Sequence, residues 1–204
     1  MVKDNEQTKI RLLQAALEIF SEKGYYETKV SDIVKRAGVA QGTFYLYFQT
    51  KESIFTSIIQ STNDRMIEQI DHIFAEQVSP QMPKGELTRR LYETIYNCMA
   101  LYRDHRSIVY MMRIHGASQF AEAECVAKAC DESLLGIIIK LFRKFQLFPE
   151  YDQLQYEVAA RAIHGLLNET CMQYVILQES TEEELAKIVG VVTQMIYNMT
   201  LGCE

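Results

Sequence analysis

Apolar residues recur at helical spacing along most of the chain, and only three prolines, Pro80, Pro83 and Pro149, interrupt them. A proline costs about 3 kcal/mol inside a helix, so long gaps between prolines leave room for long helices. No stretch carries the period-two alternation of a half-buried strand. The pattern predicts an all-α protein of about nine helices. No apolar run approaches the roughly 18 residues of a membrane span. The polar start, Met1 to Glu6, lacks the apolar core of a signal peptide. The expectation is a cytoplasmic protein with no membrane contact.

The first fifty residues are the most informative. Leu13, Ala16, Leu17 and Phe20, widened by Ile10 and Ile19, give one apolar stripe over Thr8 to Lys23, with Gly24 as its stop. A short helix is expected over Thr28 to Ala37, capped by Thr28, with Asp32 in its first turn and Gly38 at its end. A second short helix follows over Ala40 to Phe48. Helix, glycine turn and helix within about 20 residues is the helix-turn-helix arrangement. Thr50 then opens a segment with Ile54, Ile58, Met66, Ile70 and Phe74 on one stripe, running to about Gln77. After the break at Ser79–Gly85, helical patterns resume at about 86–102, 104–115, 121–146 and 151–178. Thr181 and Glu184 form a capping box for a last helix. The expected division is a 1–50 domain and a 51–204 domain.

A helix-turn-helix places its second helix in the major groove while the first braces it. In Ala40–Phe48, Phe44 and Phe48 lie four residues apart and should face inward. That leaves Gln41, Gly42, Thr43, Tyr45 and Tyr47 outward. Gln bonds bidentately to adenine and Thr reaches a base or a phosphate. Gly42 lets the backbone approach, and the two tyrosines offer hydroxyls to phosphates. Lys51 stands at a helix start, where backbone N–H groups also favour a phosphate. Thr28, Lys29 and Ser31 form a second expected phosphate clamp. Charge agrees with binding through a few placed residues rather than bulk attraction. Residues 1–60 hold eight Lys/Arg and seven Asp/Glu, a net of +1, whereas 61–204 carry a net of −7.

Residues Ile10–Phe55 resemble the DNA-binding domain of the TetR family of transcriptional regulators. The resemblance is carried by Ala15-Ala16-Leu17-Glu18-Ile19-Phe20 with Gly24-Tyr25, by Thr28 with Val30, Asp32, Ile33 and Val34, by Ala37-Gly38-Val39, by Gly42-Thr43-Phe44-Tyr45 with Tyr47-Phe48, and by Lys51-Glu52. It covers nearly a quarter of the chain with its internal spacing kept. It implies an all-helical homodimer with three helices on a palindromic duplex operator. It also implies a C-terminal domain of about six helices that binds a small ligand, whose arrival releases the DNA. Gln41, Thr43, Tyr45 and Tyr47 match recognition-helix positions, and Lys51 matches a phosphate-contacting lysine. Lys29 departs from the pattern, since the family commonly has Thr or Ser as cap there, so Thr28 is expected to take the cap instead.

Beyond about residue 60 the resemblance is architectural. Aromatics and methionines of the middle helices, including Tyr92, Tyr96, Tyr110, Met111, Phe120 and Phe142, are candidates to line an apolar pocket or simply to fill the core. Arg113, His115, Arg161, His164 and Glu169 interrupt faces that otherwise read as buried, where an ionisable group needs a partner. Either they pair with one another or they orient a polar ligand head. The favoured ligand is a small apolar or amphipathic molecule, elongated and with an anionic head. In relatives the last two helices meet their symmetry mates as a four-helix bundle. The matching candidates are Val158, Ile163, Leu166, Leu167, Thr170 and Tyr174, then Leu185, Val189, Val192 and Ile196.

Enzyme chemistry finds no foothold. The chain has no GxSxG, P-loop, GxGxxG or HExxH pattern, and His72, His105, His115 and His164 are scattered. No cofactor or metal is expected. Five cysteines (Cys98, Cys125, Cys130, Cys171 and Cys203) without a CxxC pair read as free thiols in core space. The function expected is a ligand-released DNA-binding repressor. The alternatives are a helical interaction module, or an orphan regulator or activator with no small-molecule inducer.

Overall fold

A computed structural model describes residues 2–76, 79–107, 109–110 and 121–200, with the side chains of 2–5, 73–76 and 121–123 left aside. Among these the architecture is helical throughout. The elements are α1 (Val2–Glu27), α2 (Val30–Ala37), α3 (Gln41–Tyr47), α4 (Lys51–Glu76), α5 (Lys84–Asp104), α6 (Ala121–Lys144), α7 (Gln153–Thr170) and α8 (Glu182–Thr200), with a π-helical segment, Cys171–Leu177, running on from α7. The all-α expectation holds. The segment expected over 104–115 is helical at 106–107 and 109–110, and the rest of it from residue 111 on lies outside the described residues.

The chain divides into two compact units. The first comprises residues 1–63 and 107–128, the second 64–106 and 129–204. The first unit thus extends past residue 50. The reason is apolar packing: Ile54, Phe55, Ile58 and Ile59 of α4 are buried in one cluster with Leu12, Ala16 and Phe20 of α1, Ile33 and Val34 of α2, and Phe44. Phe20 meets Phe55 edge-on at 5.6 Å, and Tyr25 lies 5.1 Å from Phe55. Val126, far along the chain, packs against the same cluster.

Local chemistry sets the turns. Gly24 leaves the helical region at φ 76°, as its expected stop requires. Gly38 ends α2 in the left-handed region at φ 66°. Its N–H reaches Lys35 O, and the Val39 N–H reaches Val34 O, which satisfies the last carbonyls. The start of α2 differs from expectation. Lys29 is the N-cap and Thr28 does not cap. The Asp32 carboxylate instead accepts from the Lys29 N–H at 3.1 Å. That bond, above all, holds the Asp32 carboxyl below its ordinary value.

In the second unit, α5 packs on α8. Thr181 and Glu184 exchange hydrogen bonds at the start of α8, as their spacing predicts, and Asp152 and Gln155 do the same for α7. The turn before α7 puts Gln146 and Phe148 in the left-handed region. An aromatic cluster holds it: Phe148 stacks on Tyr151 at 4.8 Å, and the Tyr156 hydroxyl donates to Phe148 O at 3.0 Å. The π-helical segment is also pinned. Arg106 Nε donates to Ile176 O at 2.5 Å, and Arg106 Nη2 pairs with Glu179 at 2.8 Å.

Cys130 and Cys171 are buried, as core thiols should be, and burial pushes Cys98 and Cys130 up to about 12. Cys125 departs from the expectation and is exposed. Cys203 lies outside the described residues. No helix among the described residues is long and apolar enough to cross a membrane.

Phe44 is fully buried where α1, α2 and α4 converge. Phe44→Ala is therefore expected to cost about 3–5 kcal/mol, read from the shift of the urea unfolding curve.

Candidate nucleic-acid interface

Helix α3 has seven residues, too few to be stable by its own hydrogen bonds. Two aromatic anchors hold it: Phe44 inside the helix and Phe48 just after it, their rings 5.8 Å apart and both buried. The remaining face is turned out. Gln41, Gly42 and Tyr45 are exposed and Thr43 is partly so. The Tyr45 ring, 52% exposed, rests edge-on against Phe44 at 5.4 Å, so its hydroxyl is presented from a fixed base. Tyr47 corrects the sequence reading in part. Its ring packs against the core and is only half-exposed, because its position flanks the Phe44–Phe48 face. Leu46, which polar-residue reasoning passes over, is 82% exposed, more than any other large apolar side chain of the helix. Its placement opposite Phe44 was the available signal.

The flanking residues sort into two kinds. Lys29 and Ser31, at the start of α2, are exposed and could approach a phosphate. Thr28 could not. It is 1% exposed, and its hydroxyl donates to Gly24 O at 2.7 Å, closing the corner between α1 and α2. Lys51 is also corrected. Its ammonium donates to Tyr25 O at 2.6 Å and Thr28 O at 2.8 Å, with Tyr26 O at 3.4 Å, and it sits 4.2 Å from the Tyr25 ring centre. These carbonyls end α1, where a cation is favoured. Burial pushes the ammonium below its ordinary value. Lys51 therefore fastens the brace that carries α3. Arg36 is committed as well, bonded to Glu18 at 2.6 Å and to Glu22 at 2.8 and 3.0 Å.

Of the expected ligand residues, Met111, Arg113, His115 and Phe120 lie outside the described residues, and Tyr110, 38% exposed, belongs to the first unit. In the second unit, Tyr92 and Tyr96 stack on α5, and their hydroxyls donate to Ala186 O at 3.4 Å and Glu182 at 3.3 Å. Phe142 is buried in the aromatic cluster of Phe148 and Tyr156 and fills core. Arg161 is exposed and paired with Glu132 at 3.1 Å. His164 lies 3.4 Å from Asp131. The two residues join α7 to α6, so Arg161 is not the buried partner of an anionic head. Among the described residues no cluster of metal-ligating side chains occurs.

The expected dimer stripe is corrected at most of its positions. Leu185, Val189, Val192 and Ile196 are buried within the single chain, as is Ile163. Leu167 and Thr170 are half-buried, and Tyr174 is exposed. The apolar surface left outward is the other side of these helices: Leu154 and Val158 on α7, and Val191, Met195 and Met199 on α8.

Residues 12–58 match the family described as bacterial regulatory proteins, tetR family. The chain is 48% identical over 60 residues to the HTH-type transcriptional regulator YvdT of Bacillus subtilis (strain 168). That match covers 29% of this chain and about a third (31%) of that protein. It is 27% identical over 195 residues to the HTH-type transcriptional regulator YdgC of the same organism, covering 95% of this chain and 93% of that one. A crystal structure of the transcriptional regulator FadR from Bacillus subtilis, in complex with stearoyl-CoA, shares the fold. Its TM-score is 0.70 at 23% identity, over 92% of this chain and 96% of that one.

If Lys51 fastens the α1–α2 corner, Lys51→Met lowers folding stability by about 1–3 kcal/mol, seen as a lower urea midpoint in the absence of DNA. An unchanged midpoint would return Lys51 to the role of a phosphate ligand.

Proposed function

Because the chain belongs to the TetR family of bacterial regulatory proteins, and is thus a DNA-binding transcriptional regulator rather than an enzyme, we propose that it acts as a homodimeric repressor, released from a palindromic operator by a small amphipathic ligand. One observation carries the DNA-binding half of this reading. A seven-residue helix is held by two buried phenylalanines and turns Gln41, Gly42, Thr43 and Tyr45 outward. A helix carried this way fits the major groove, with Gln41 on an adenine edge and Thr43 and Tyr45 on bases or phosphates. Lys29 and Ser31 bind phosphates beside it, and Tyr47 adds its hydroxyl at the edge of the surface.

The dimer face is the exposed side of α7 and α8. Val191, Met195 and Met199 recur every four residues on α8, and Leu154 and Val158 do so on α7. A twofold interface uses one patch twice, so this apolar surface is covered by its own copy. The ligand is an elongated apolar molecule with an anionic head. Its class is supported by the stearoyl-CoA held by the FadR protein of the same fold.

The test begins with duplexes selected from a randomised pool. Specific binding that survives competitor DNA and weakens steeply with salt is expected. Lys29→Ala should weaken all duplexes alike and lower the slope of log K against log salt by about 1 for each phosphate no longer neutralised. Long-chain acyl thioesters should release the bound duplex. Val191→Glu combined with Met195→Glu should give a folded monomer in sedimentation and abolish tight binding. A double variant that still sediments as a dimer would place the interface elsewhere.

A further inference from the structure

We propose that Leu46 is a specificity-determining residue that reads the C5-methyl group of a thymine. The inference rests on the DNA-binding reading above and adds to it a residue chosen on geometry. Each helical residue advances about 100°. With Phe44 and Phe48 turned into the core, the direction opposite them belongs to Leu46 and, one turn earlier, to Gly42. Leu46 is the most exposed large apolar side chain among the described residues. It is absent from the buried cluster that takes in its neighbour Tyr47 and, before the helix, Val39. No intramolecular packing accounts for a leucine at the crown of this helix.

What covers it follows from the surface around it. A helical side chain leans back over the turn N-terminal to its own Cα, so the Leu46 isobutyl group lies toward Gly42. A Cβ added at Gly42 would meet nothing within 4 Å, so the backbone there is open to close approach from outside. The crown is therefore a bare backbone step with an apolar wall behind it, flanked by the polar side chains of Gln41, Thr43 and Tyr45. Of the groups that vary with sequence on the major-groove floor, the thymine methyl is the apolar one. A leucine there favours a thymine and leaves the polar edges to its neighbours.

The test uses the full chain and a duplex selected by it from a randomised pool. Each thymine is replaced in turn by deoxyuridine, which removes the methyl group and keeps the pairing. One thymine in each half-site is expected at which this replacement weakens wild-type binding about tenfold in anisotropy titrations. Leu46→Ala should bind the thymine duplex about tenfold more weakly and be indifferent to deoxyuridine at that position, with its helical circular dichroism unchanged. Leu46→Met, still apolar, should retain the discrimination. Undiminished sensitivity to deoxyuridine in Leu46→Ala, or none anywhere in the wild type, would overturn the proposal while leaving operator binding intact. A wild-type chain that selects no sequence would overturn the DNA-binding reading itself, and the selection step alone reveals that.

Discussion

The surface proposed to read DNA has no stability of its own. A seven-residue helix closes too few hydrogen bonds to offset its nucleation cost, so α3 is kept helical by burial of Phe44 and Phe48 against α1, α2 and α4. That anchoring fixes the rotation of the helix about its axis. Phe44 cannot turn outward without opening a cavity, and so Gln41, Gly42, Tyr45 and Leu46 cannot turn inward. The division into an apolar seam and an exposed crown is one constraint seen from two sides.

The brace is fixed by polar chemistry instead. The α1–α2 corner gathers carbonyls that end one helix before the next begins. Thr28 and Lys51 satisfy them together, one with a neutral hydroxyl and one with a charge. Buried polar groups hold their place only when bonded. Lys51 and Thr28 thus hold the corner from which the proposed DNA-reading helix is carried.

Much of this was legible in the residues. Gly24 and Gly38 marked their turns because a positive φ there suits glycine. The four-residue spacing of Phe44 and Phe48 named the inward face, and Thr181 with Glu184 announced α8. The misreadings share a cause. Lys51 and Thr28 are polar residues near a presumed phosphate, and their real partners are carbonyls more than twenty residues away in sequence for Lys51 and only four for Thr28. Local patterning cannot rank those partners. On α8 both Leu185–Ile196 and Val191–Met199 form apolar stripes, and periodicity does not say which one faces the chain's own core. Packing against α5 decides it. Arg161 looked costly on an apolar helix, but its side chain reaches Glu132 at the surface, as long basic side chains do.

The two units exchange chain three times, after Asn63, after Arg106 and after Lys128. Arg106, the residue before the middle crossing, is tied to Ile176 and Glu179 at the far end of the π-helical segment. The first unit is consequently not a bead on a string that a protease or a truncation could free with one cut. Severing the backbone after residue 63 would still leave Val126 and its neighbours belonging to a core now held by another piece of polypeptide. Ser107, a single peptide bond past Arg106, already belongs to the unit that carries α3.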